Sequence, residues 1–191
     1  MIWLILGLIL FLGIHSVRIF APSWRDAIIE NRGENAWKGP YTIVSLAGFG
    51  LIVLGFYLGR ADADIVYVPP DWGRSLALMI MLPVFILLAA GNGPVGYIKK
   101  VLKHPMVVAI GLWAIVHLAA NGDQFTVSLA AAFLVWIIAM IVSIQYRPAT
   151  EIPPEKVSVR GDIMAIVGGF VLYTLFVWKL HEWLIGVPVI V

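Results

Sequence analysis

The chain contains no cysteine. That excludes disulfides, iron–sulfur clusters, thiolate-ligated haem and haem attached covalently through a Cys-x-x-Cys-His motif. Any metal must be held by histidine, methionine, tyrosine or carboxylates. Charge is also scarce, because only 13% of the 191 residues are Asp, Glu, Lys or Arg, where soluble domains carry about 25%. No Ser-His-Asp constellation, phosphate-cradling glycine loop, His-Glu-x-x-His zinc motif or pair of intramembrane carboxylates occurs, so hydrolytic and nucleotide-driven chemistry lack their residues. Nor is there a basic groove with stacking aromatics of the kind nucleic acids require.

What is present is apolar: 61% hydrophobic residues and a mean hydropathy of +0.96. Spanning a bilayer takes about 20 apolar residues. Six stretches qualify or nearly so, at about 2–21, 41–59, 74–94, 106–120, 124–146 and 162–187, with the fourth short. They predict an all-α integral membrane protein, a single six-helix transmembrane bundle over 1–191, whose partner is the lipid bilayer. The start at Met1-Ile2-Trp3 has neither a basic leader nor a small-residue cleavage site, so the first stretch reads as an uncleaved membrane helix. The 22–40 segment could hold a short surface helix.

Basic residues are distributed unevenly. The 22–40, 95–105 and 147–161 loops hold nine Lys or Arg: Arg25, Arg32, Lys38, Lys99, Lys100, Lys103, Arg147, Lys156 and Arg160. The alternate loops offer only Arg60 and Arg74. The positive-inside rule then places the nine-charge face in the cytoplasm and both termini on the periplasmic side. Gly55-x-x-x-Gly59, Gly168-Gly169 and Ala130-Ala131-Ala132 provide small surfaces for helix packing. Trp and Tyr near the helix ends read as interfacial anchors.

Four histidines remain. His15 and His117 lie deep in their helices, about 10 Å and about 20 Å from the cytoplasmic edge at 1.5 Å per residue. Intramembrane imidazoles are functional candidates by default. A pair from two helices can ligate a non-covalent b-type haem, share a buried hydrogen bond, or serve another metal or a proton relay. The offset of about 10 Å requires tilt for haem ligation. His104 precedes Pro105 and suits a helix start; its 13-residue separation from His117 sets the two about 140° apart in azimuth, against a two-haem arrangement on that helix. His181, beside Lys179 and Glu182, reads as a cap or surface residue. Arg18, one turn beyond His15, could meet a haem propionate or snorkel to the headgroups. Asp123, in Asn121-Gly122-Asp123, fits turn chemistry or a proton-entry or substrate role.

The motifs Phe11-Leu12-Gly13-Ile14-His15-Ser16-Val17-Arg18, Trp37-Lys38-Gly39-Pro40-Tyr41, Leu102-Lys103-His104-Pro105-Met106, Trp113, His117-Leu118 and Asn121-Gly122-Asp123 together resemble the NnrU family over about residues 1–145. The resemblance implies a bacterial inner-membrane protein of denitrification, handling nitrite or nitric oxide. It implies a more distant likeness to the 15-cis-zeta-carotene isomerases, which use histidine-held haem b to isomerise a polyene. His15 and His117 match that haem site, and His104 matches a further functional histidine. The expected cofactor is therefore haem b, with a redox partner or a lipophilic substrate. The alternatives are an isomerase using the same haem and a cofactor-free assembly factor or transporter. The chain lacks the isomerases' extra length, which weighs against isomerisation more than against haem.

Overall fold

The computed structural model describes residues 1–147, 153 and 156–190. Among these, the chain folds as helices α1 (Ile2–Phe20), α2 (Pro22–Arg32), α3 (Glu34–Gly59), α4 (Gly73–Asn92), α5 (Tyr97–Leu102), α6 (Pro105–Ala120), α7 (Gln124–Gln145), α8 (Val159–Leu175) and α9 (His181–Ile185). A 3₁₀ turn (Arg60–Asp62) extends α3, and a π-helical turn (Phe176–Leu180) joins α8 to α9. Five stretches are long and apolar enough to cross a membrane, while α6, at 16 residues, is shorter. Of the proline-rich 147–161 loop, Pro148 and Pro154 lie outside the described residues.

Local chemistry explains the breaks. Pro22 opens α2, where its missing N–H costs nothing, and Gly33 separates α2 from α3 with φ of 84°, a conformation other residues resist. The short surface helix expected within 22–40 is α2. The third helix, however, starts at Glu34 rather than near residue 41, carrying Pro40 inside it. A Glu34–Lys38 contact of 2.9 Å supports its first turn at the favourable i,i+4 spacing.

Helices α1 and α3 are antiparallel and nearly touch at the backbone. A methyl at Gly48 would lie 2.6 Å from Phe11 N, one at Gly55 2.6 Å from Leu4 N, and one at Gly7 2.6 Å from Ile52 N. Without Cβ atoms the helices approach closely enough for dispersion contacts along their length. Gly59 does not extend this stripe, as the glycine spacing suggested: it faces Phe125 of α7. Likewise only Gly169 of the Gly168-Gly169 pair is at an interface, against Ile86 of α4. The buried cluster of Leu4, Ile52, Phe56 and Phe125 ties α1, α3 and α7 together.

Neighbouring helices follow one another as α3–α1–α7–α6–α4–α8, and α9 returns to touch α3, closing a ring. Ile43, Met79, Val135 and Ile138 are among the large apolar side chains left exposed on its outer surface, where lipid is the matching solvent.

The two ends of the ring are tied differently. At the basic end, the Asp162 carboxylate of α8 accepts from Tyr97 N (2.9 Å) and Ile98 N (3.0 Å), the free donors at the start of α5. At the other end, Gly122 O accepts from Val66 N (2.8 Å), and the Tyr67 hydroxyl donates to the carbonyls of Leu118 and Asn121. Asp123 accepts from Phe125 N (3.1 Å) and Thr126 N (2.9 Å), capping α7.

Candidate functional site: a histidine-lined cavity

A carbonyl oxygen can only accept, so an imidazole nitrogen bonded to one carries the proton. This fixes the tautomer of three histidines. His117 Nδ1 donates to Trp113 O (2.8 Å), His181 Nδ1 to Val187 O (2.8 Å) and His15 Nδ1 to Phe11 O (2.6 Å). Each neutral ring then has its lone pair on Nε2, the form that ligates a metal.

The Nε2 environments differ. At His15 the Tyr41 hydroxyl donates to Nε2 (2.7 Å), so the lone pair is engaged. The ring stacks on Phe11 at 4.3 Å between centroids and meets Trp136 edge-on at 6.2 Å. His117 and His181 instead line a cavity of about 300 Å³, at the lower end of the range for ligand sites.

That cavity is amphipathic. Its apolar wall includes Phe11, Phe49, Phe56, Trp113, Leu129 and Phe133. Its polar groups, Arg60, Asn121 and Asp123, come from the end of the bundle where α3 finishes and α7 begins. A second cavity of about 110 Å³ shares His117, Asn121, Phe176, His181 and Val187 and adds Arg74. His117 and His181 thus border both cavities, with Arg60 at the larger and Arg74 at the smaller.

The structure separates residues that sequence reasoning had grouped. His117 lines both cavities, whereas His15 lines neither. The rings of Phe11, Phe133 and Trp113 intervene, at successive centroid separations of 4.3, 5.9, 5.2 and 4.7 Å from His15 to His117. Arg18 and His104 lie at the opposite, basic end. The Arg147 guanidinium donates to Arg18 O (2.8 Å) there, and His104 holds the N-cap position of α6, without a side-chain capping bond, ahead of Pro105 in the first turn. Partial burial, then Arg18, Arg147 and Lys103, hold the His104 pKa below the ordinary imidazole value. Neither residue borders either cavity.

Among the described residues, no three His, Asp or Glu side chains converge as a protein-only metal centre would need. A macrocycle that brings its own equatorial donors asks for fewer, one or two axial imidazoles. An apolar cavity bordered by an arginine also suits a flat body carrying carboxylates. The residues present therefore fit haem.

The cavity-lining residues that sequence reasoning did not place together are His181, Arg60 and Arg74. The arginines had a visible signal, being the isolated basic residues of the otherwise neutral end. His181 had none, because its direction depends on the π turn before it.

Fold and site together define a helical membrane protein with a histidine-lined, amphipathic cavity at one end of its bundle. Residues 3–189 match the family described as NnrU protein, and the chain belongs to that family. The match continues through α8 and α9, well past residue 145, where the recognisable motifs end. No curated protein and no solved structure matches the chain.

Proposed function

We propose that this protein is a six-span bacterial inner-membrane haem b protein of nitrite and nitric oxide metabolism, acting as a redox or nitric-oxide-responsive element. The observation that carries the reading is His117 itself: its Nδ1 is tied to Trp113 O, and its ring borders an apolar cavity. Counting α6 as the sixth span and placing the nine-charge face in the cytoplasm puts the cavity mouth toward the periplasm.

When bound, haem would supply an iron that changes oxidation state and, once a protein ligand leaves it, takes up nitric oxide. His117 would hold that group, with the Trp113 carbonyl orienting the imidazole and raising its basicity. Phe49, Phe56 and Phe133 would exclude water from the cavity. Arg60 and Arg74 would be the partners for its carboxylates. The same apolar wall supports a second reading, haem-dependent isomerisation of a polyene, since a slot lined by aromatics also accepts a flat lipophilic substrate.

The test is an optical spectrum of the detergent-purified chain, oxidised and then dithionite-reduced. A Soret band with a sharp reduced alpha band is expected, and His117→Ala should lose the sharp alpha band while remaining folded and membrane-inserted. A folded wild-type protein that takes up no haem on reconstitution would overturn the reading in favour of an assembly factor or transporter.

A further inference from the structure

We infer that His181, rather than His15, is the imidazole that faces His117 across the bound group. The inference rests on the haem reading above and names the second axial ligand within it.

Three observations converge. First, the two cavities meet at His117 and His181, which line both. A flat ring held between two imidazoles must extend sideways past each of them, and both cavities border this pair.

Second, both rings have Nδ1 committed to a backbone carbonyl, which leaves Nε2 as the coordinating atom. His15 is committed at both nitrogens, to Phe11 O and to the Tyr41 hydroxyl. Using it as a ligand would require breaking the Tyr41 bond and moving its ring past Phe11.

Third, the local backbone around His181 is specialised for aiming it. The π turn Phe176–Leu180, closed by the bond from His181 N to Phe176 O, adds one residue to the helical repeat. One added residue rotates everything after it by about 100° relative to an uninterrupted α-helix, and such turns recur at functional positions. Beyond α9, Gly186 adopts φ of 78°, reversing the chain so that Val187 O meets the imidazole. Glu182, next in sequence, stays on the surface in an ion pair of 2.6 Å with Lys179.

The experiment uses the full chain in detergent, reconstituted with haem, and reads ligation by absorption and electron paramagnetic resonance. Wild-type protein should be low-spin and six-coordinate. His181→Ala should retain haem through His117 but become high-spin, with added imidazole restoring the low-spin spectrum. His15→Ala should remain low-spin. His181→Met, a variant that fills the site, should stay six-coordinate with a raised midpoint potential, as thioether ligation does. A low-spin His181→Ala protein, or loss of the low-spin signal in His15→Ala, would refute the assignment while leaving the haem reading intact. Wild-type protein without haem would refute both.

Discussion

The Tyr41 hydroxyl lies 2.7 Å from His15 Nε2, joining α3 to α1 across 26 positions of sequence. With the bond from His15 Nδ1 to Phe11 O, both nitrogens of a half-buried imidazole are satisfied. Satisfaction of that kind is what a polar ring requires in an apolar bundle. His15 and Tyr41 thereby tie α1 to α3.

Tyr41→Phe should test that tie. It removes the donor and strands the Nε2 acceptor, a loss of about 1–3 kcal/mol. Thermal unfolding in detergent should show a lowered midpoint with helix content unchanged. An unchanged midpoint would mean that Nε2 finds another partner.

The adjacent glycines of α8 should respond in opposite directions. A methyl at Gly169 would lie 2.5 Å from Ile86 Cα, so Gly169→Ala should force α8 from α4 and cost about 1–3 kcal/mol. Gly168 has open space, and Gly168→Ala should be neutral or stabilising by about 0.5–1 kcal/mol through helix propensity. Equal effects in a paired unfolding measurement would contradict this packing.

Asp162→Ala should release the start of α5. Two backbone donors lose their acceptor, comparable to deleting a helix cap at about 0.5–2 kcal/mol. Faster limited proteolysis between residues 93 and 104 is the expected signature, and cleavage no faster than wild type would speak against it.

Acid should weaken the basic end through His104. Its folded pKa is lowered by partial burial and then by Arg18, Arg147 and Lys103. Between that value and the unfolded value of about 6.5, the unfolded chain binds the proton and the folded one does not. Stability thus rises with pH through this window, is complete above about 6.5 and falls on acidification. The melting temperature of His104→Gln should depend less steeply on pH than that of wild type. Parallel slopes would count against the cation cluster.

Much of this architecture was legible because hydropathy and helix breakers are local signals. The helix edges at Ala21, Asn121 and His104 follow from Pro22, the Asn121-Gly122-Asp123 turn and Pro105. The start of α3 was not, because Pro40 reads as a break although the helix runs through it. The helical position of His15 was readable, but its partner was not, since a hydrogen bond between residues 15 and 41 depends on how α1 and α3 register. The cavity-lining position of His181 was hidden for a related reason. Its neighbours Lys179 and Glu182 do form an exposed ion pair, yet a change of helical pitch turns the imidazole inward.

The ring of helices is not equally stiff around its circumference. Glycine contacts lock α1 to α3 at the backbone, while α4 is packed on both α6 and α8. The seam between α9 and α3 is the sparsest in the ring, and α9 is also the segment that carries His181. One of the two cavity imidazoles is therefore carried by the segment that closes the ring with the least shared surface.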